Sequence, residues 1–130
     1  MAGEEAITIT DAGGAFAAAL AAKDAAALTA VLAAELDFEA LTPRRHWTAR
    51  TPAEVVDQTI LGAWFDHGDE ILELCSVRTD QVGDRGYVGY RLRVRTEGRD
   101  HLVEQQAYYN TDDAGRISWL RVLCSGYQPL

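Results

Sequence analysis

The sequence predicts an α+β fold in which helices from the first half pack on the concave face of a long antiparallel meander. Three observations carry this. Up to about Phe65 the apolar residues recur mostly at helical spacing, and from Glu70 onward the period changes from 3.6 to 2. Four long alternating runs then follow, at roughly 70–80, 86–96, 99–111 and 116–124, separated by the turn signals Gly83-Asp84, Glu97-Gly98 and Asp112–Gly115. Strands of that length reach about 30 Å, longer than a sandwich uses. The chain has 130 residues, 48% of them hydrophobic, which suits one domain spanning 1–130 with a core of its own.

The elements follow in order. Thr10 or Asp11 can cap a first helix running to about Ala22, with Phe16 and Leu20 sharing a face. Lys23-Asp24 breaks it, and Asp24 can cap a short second helix whose Leu28, Val31 and Leu32 line up. Leu36–Leu41 alternates, with Leu36, Phe38 and Ala40 to one side and Asp37 and Glu39 to the other, a half-buried strand ending near Pro43. Thr51-Pro52-Ala53-Glu54 is a capping box with proline at the first helical position. That helix should reach about Phe65 with Val56, Ile60 and Ala63 or Trp64 inward, and Gly68 just past its end.

The hairpin around Glu97-Gly98 fixes its own register. A two-residue turn sets Arg95 opposite Asp100 and Arg91 opposite Glu104, both opposite-charge pairs. It sets Val94, Leu92, Tyr90 and Val88 opposite His101, Val103, Gln105 and Ala107 on the other face. A slip of one residue would destroy both patterns. Reading Asp112–Gly115 as a four-residue loop sets Tyr109 opposite Ser118, Ala107 opposite Leu120 and Gln105 opposite Val122.

Charge and cysteine content exclude several functions. Lys plus Arg is 12 and Asp plus Glu is 20, a net charge of −8 that argues against nucleic acid or an anionic membrane as partner. Eleven of the twelve basic residues are Arg, and only Lys23 is Lys. Cys75 and Cys124 form no CxxC pair, and the histidines have no metal-ligand spacing, so neither a metal nor another cofactor is expected. Glu4 and Glu5 stand where a signal peptide carries positive charge. The expectation is a cytoplasmic protein with reduced thiols.

The ordered set Ala19-Leu20-Ala21-Ala22-Lys23-Asp24, Leu32-Ala33-Ala34-Glu35-Leu36-Asp37-Phe38, Pro43 and Asp113-Ala114-Gly115-Arg116-Ile117 resembles the nuclear transport factor 2-like superfamily over nearly the whole chain. These are the cone-shaped α+β proteins that include ketosteroid isomerases, polyketide cyclase-like proteins and dehydratases. The resemblance implies a pocket between helices and concave sheet, and a homodimer. It does not bring the ketosteroid isomerase chemistry with it. The oxyanion-hole tyrosine falls at Phe16, the strand acid at Ala107, and the base at Ala40 or Thr42, and none of these can act in that way.

The expected pocket is lined by Phe16, Phe38, Trp47, Trp64, Tyr90, Leu92, Gln105, Tyr109, Leu120 and Val122. Gln105 is its best polar group, hydrogen-bonded to Tyr90, to water or to a ligand. Two residues are candidates for catalysis: Glu73, a general base if its ambiguous parity turns it inward, and His101, either an acid–base group or a residue at the rim. His46 and His67 read as a loop residue and a helix-end residue. Arg91, Arg93, Tyr108, Trp119 and Arg121 form an outer-face patch suited to a homodimer, unless the tail Ser125–Leu130 covers Trp119. Arg93, opposite Leu102, is the one stripe charge left unpaired by the register. Two functions stay open: a module binding a small apolar molecule, or an isomerase, cyclase or dehydratase acting on an apolar cyclic metabolite.

Overall fold

The computed structural model describes residues 3–130, with side chains described from Ala12 onward. Helices α1 (Gly3–Ala21) and α2 (Ala25–Val31) precede strands β1 (Leu32–Thr42) and β2 (Arg45–Ala49). Helix α3 (Glu54–Trp64) follows, then β3 (Asp69–Val82), β4 (Arg85–Thr96), β5 (Arg99–Thr111), β6 (Ile117–Cys124) and the short β7 (Gln128–Pro129). The sheet order is β2-β1-β6-β5-β4-β3, with β7 beside β5. The meander β3–β6 is antiparallel as expected, but β1 joins β6 in parallel, so the sheet is mixed. The parallel pair arises because β1 returns to the sheet next to its last long strand rather than beside a sequence neighbour.

Helix α1 begins at Gly3, so Thr10 and Asp11 lie within it rather than at its start. Asp24 does cap α2, its carboxylate accepting from the Ala27 amide at 3.0 Å. The Thr51/Glu54 capping box forms reciprocally, each side chain accepting from the other's amide at 3.3 Å.

Beyond this cap the expected α-helix is a π-helix, with i→i+5 hydrogen bonds. The apolar spacing is the reason. Val55, Ile60 and Phe65, five apart, are all buried, as are Val56, Thr59 and Trp64. In an α-helix five-residue steps would fan these side chains round the axis. The wider turn keeps them on the core face, while Ala63 is exposed. Gly62 is required, since a Cβ there would sit 2.2 Å from the Asp57 carbonyl oxygen. Gly68 does not cap the helix. It lies in a turn where its amide donates to the Asp66 carboxylate at 2.9 Å.

The β4–β5 register matches the expectation at every position from Thr96↔Arg99 to Val88↔Ala107. The turn is tight because Glu97 and Gly98 both take positive φ, 52° and 76°. The β5–β6 register differs by two residues, with Tyr109↔Leu120, Ala107↔Val122 and Gln105↔Cys124. An irregularity at Asn110/Thr111 and a longer loop produce the shift. Two residues preserve parity, so every side chain keeps its face.

The inner face and the helices enclose the core. Phe16, Leu20, Ile60, Val88, Leu92 and Ile117 are fully buried there. Helix α1 approaches the sheet closely at Gly13, whose amide donates to the Tyr109 hydroxyl at 3.1 Å. Lys23, the sole lysine, has φ of 53° and reaches across to the carbonyls of Asp66 (2.6 Å) and Asp69, tying the α1–α2 junction to the loop after α3.

Candidate functional site

A cavity of about 310 Å³ opens at the end of the cone where α3 stops. Its wall combines four pieces of chain: Thr42 and Pro43 at and just beyond the end of β1, Ala63, Trp64 and Phe65 at the end of α3, Val103 and Gln105 on β5, and Cys124, Gly126 and Tyr127 at and beyond the end of β6. The tail closes over it by specific contacts. The Ser125 amide donates to the Glu104 carbonyl at 2.9 Å, and Gly126 turns with φ of 76°. That turn lies close against Pro43: a Cβ on Gly126 would meet the Pro43 ring at 2.7 Å. The Tyr127 hydroxyl contacts the Trp64 carbonyl at 2.5 Å and the Asp69 carboxylate at 2.7 Å. Burial, then the hydrogen bond to Asp69, pushes that hydroxyl far above the usual tyrosine range, so it stays a donor.

Two buried polar groups in this wall have no partner among the described residues: Gln105 Nε2 and Trp64 Nε1. Gln105 is fully buried and Trp64 is 7% exposed. The Tyr90 hydroxyl donates to Gln105 Oε1 at 2.6 Å. Burial, with a lesser contribution from Cys124, raises the Tyr90 hydroxyl well above its ordinary range, so it remains protonated and holds the amide oxygen. The Gln105 NH₂ is thereby left as a pure donor. The Trp64 ring is held from two sides, 6.2 Å from Phe38 and edge-on to Trp47 at 6.1 Å. Trp47 itself donates to Thr42 Oγ1 at 2.8 Å. An unpartnered buried donor costs about 1–3 kcal/mol. Gln105 and Trp64, both residues of this wall, each carry such a donor.

The structure sorts the expected pocket residues into groups. Trp64 and Gln105 line the cavity. Trp47 and Tyr90 stand behind them as supports. Phe16, Phe38, Leu92, Tyr109 and Leu120 fill the interior of the cone as core. Val122 also belongs to that core, and it reaches the floor of a shallow groove on the outer face. The open space is therefore at the mouth rather than deep between helices and sheet, because large side chains occupy the depth. Phe16, Ala107 and Ala40 are buried apolar residues at the positions aligned with the ketosteroid isomerase set.

Glu73 is exposed on β3 opposite Arg93, so it is not a desolvated base. Its ambiguous parity resolves outward through irregularities at Ile71/Glu73 and Leu74/Ser76. His101 lies on the inner-face register opposite Val94, yet Tyr127 stands edge-on to it at 5.6 Å, and it lines a separate hollow with Thr96, Glu97 and Arg99. It is a rim residue. His46 bonds Glu39 at 2.8 Å on the surface, and His67 is exposed. Among the described residues no group of three or more His, Cys, Asp or Glu could hold a metal, and no helix is long and apolar enough to cross a membrane. Sequence reasoning missed Tyr127 and Thr42 as cavity residues, and it put Cys124 on the inner face only as a small buried residue. The Ser125-Gly126-Tyr127 turn was the available signal for the first.

On the outer face all three stripe arginines are paired. Arg91 meets Glu104 at 3.6 Å, and Arg95 and Arg93 share Asp100 at 2.9 and 3.2 Å. Arg93 is thus not left over; it reaches Asp100 diagonally. Trp119 lies between the guanidinium groups of Arg85 (3.8 Å) and Arg121 (4.5 Å), and the tail runs to the cavity instead of covering it. Arg121 also pairs with Asp37 and Glu39, each at 3.1 Å.

No protein-family model and no curated protein matches the chain. Solved structures do match. A proposed isomerase from Bacillus subtilis superposes with a TM-score of 0.76 at 14% identity, covering 94% of this chain and 89% of the other. An LEH-like epoxide hydrolase from M. tuberculosis gives 0.70 at 17% identity, covering 92% and 84%. An NTF2-like protein from Burkholderia xenovorans gives 0.66 at 16%, covering 91% and 89%. At such identities the likeness is one of architecture. With the helices, mixed curved sheet and open cone described above, the chain has the fold of the nuclear transport factor 2-like superfamily.

Proposed function

We propose that the chain binds a small, mostly apolar molecule carrying a hydrogen-bond acceptor such as a carbonyl oxygen, in the cavity at the mouth of the cone. The observation that carries this reading is that Gln105 and Trp64, two residues of one mostly apolar wall, each carry a buried N–H with no partner among the described residues. A volume of about 310 Å³ lies at the small end of ligand sites. The architecture is that of structures described as an epoxide hydrolase and a proposed isomerase, which makes a reaction on a cyclic metabolite the second reading. Binding is favoured over it because the wall contributes donors, a thiol and apolar surface, whereas acid–base chemistry needs a carboxylate or imidazole at the ligand.

The test is a titration followed by protein NMR. Cyclohexanone should shift the Gln105 and Trp64 side-chain N–H signals, and cyclohexane should bind roughly tenfold more weakly or worse. Equal binding of both would overturn the reading.

The same proposal places the protein in the cytoplasm, with Cys75 and Cys124 as free thiols. It includes a homodimer through the outer face, carried by the exposed Leu41, Leu123 and Tyr108 beside Arg121. Light scattering should give twice the chain mass, and Leu123→Arg should halve it; a wild-type monomer at high concentration would contradict the dimer.

A further inference from the structure

Cys124 lies in the same cavity wall as the two unpartnered donors. It is the β6 partner of Gln105 on β5, so the two side chains share the inner face, with Cβ atoms about 4.5–5.5 Å apart. Its sulfur is oriented, since the Gly126 amide donates to Sγ at 3.4 Å. The other thiol, Cys75, is exposed on β3 and outside this wall. A thiol therefore lines the same cavity as two residues that each carry an unpartnered N–H among the described residues.

From this arrangement we infer that Cys124 captures apolar α,β-unsaturated carbonyl compounds covalently, with their oxygen held by Gln105 Nε2–H and Trp64 Nε1–H. This rests on the proposed binding mode. In such a ligand the carbonyl oxygen and the electrophilic β-carbon are three bonds apart, which suits donors on one side and sulfur on the other. The thiol first loses its proton to water. The thiolate sulfur then forms a bond to the β-carbon, and the carbon–carbon π pair moves toward the carbonyl, putting negative charge on its oxygen. That charge develops at the two N–H groups, which gain more from it than from the neutral carbonyl. A proton from water then adds to the α-carbon. The net change is addition of S–H across the double bond, with no leaving group and no oxidant.

The test uses cyclohex-2-en-1-one and peptide mass mapping. Cys124 should acquire the adduct about tenfold faster than Cys75, although Cys75 is the more exposed thiol. Gln105→Met and Trp64→Phe should each slow the Cys124 adduct about fivefold or more, while labelling of Cys124 by methyl methanethiosulfonate, which has no carbonyl, keeps its rate. The second variant guards against the first failing to fold, and a melting curve checks both. Preferential labelling of Cys75, or an unchanged rate in both variants, overturns the inference. If cyclohexanone binds but cyclohexenone leaves Cys124 unmodified, the covalent step falls and the binding reading stands. If neither compound engages the cavity, both fall.

Discussion

The two faces of β5 treat their polar groups in opposite ways. On the outer face Glu104 and Asp100 meet Arg91, Arg93 and Arg95 in the open, where such pairs contribute little each but set the strand register. On the inner face Gln105 is fully buried, bonded at its oxygen to Tyr90 and unpartnered at its nitrogen. A sheet surface can satisfy its charges cheaply with side chains or water. A buried amide must find its partners inside, and Gln105 Nε2 has none among the described residues. The Arg-rich composition thus reports the surface, and one glutamine reports the site.

Breaking the inner arrangement should give the largest effect. Tyr90→Phe leaves the Gln105 side chain without the one hydrogen-bond partner it has among the described residues and should cost about 1–3 kcal/mol in denaturant unfolding. Adding Gln105→Leu should restore stability to the wild-type level or above, because the double variant removes the orphaned amide along with its partner. If the two losses simply add, the amide is not the strained partner described here.

A second contrast sharpens how close α1 sits to that face. A Cβ at Gly13 would lie 2.8 Å from the Tyr109 hydroxyl and 3.0 Å from Val88 Cβ, whereas nothing lies within 4 Å of one at Gly14. Gly13→Ala should destabilise by about 1–3 kcal/mol through overpacking. Gly14→Ala should stabilise by up to about 1 kcal/mol through helix propensity. Thermal melts of the two variants separate these signs.

The smallest effect belongs to the outer face. Hydrogen bonding from Arg95, with Arg93 assisting, holds the Asp100 carboxyl below the usual aspartate range. The folded state therefore gains from its ionised form above the ordinary aspartate pKa, about 3.9. That gain is lost as pH falls through the lowered folded value. Acid unfolding curves of Asp100→Asn should lack this component and match wild type in shape elsewhere. Identical acid branches would show that the pair has no role in stability.

The differences in legibility have physical causes. The β4–β5 register was readable because charge pairs, apolar alternation and a Glu97-Gly98 turn all demanded one answer. The β5–β6 register slipped by two because the irregularity at Asn110/Thr111 leaves no alternation signal, yet parity kept Gln105 inward. Trp64 was readable from the helix face even though the helix proved to be of π type, since the paired apolar residues at four- and five-residue steps still mark the core side. Glu73 was ambiguous because two irregularities in β3 interrupt its alternation. Tyr127 reaches the cavity only because the Gly126 turn folds the tail back, a tertiary event without periodicity. The empty depth expected of the cone was filled by Phe16, Phe38 and Tyr109, whose volumes a face assignment does not weigh.

The central claim is that the buried donors exist for a ligand, and the stable double variant Tyr90→Phe/Gln105→Leu tests it most directly. Cyclohexanone titrated into wild type and into this variant should bind the variant about tenfold more weakly, while the variant unfolds at an equal or higher denaturant concentration. Unchanged affinity in the variant would contradict the account.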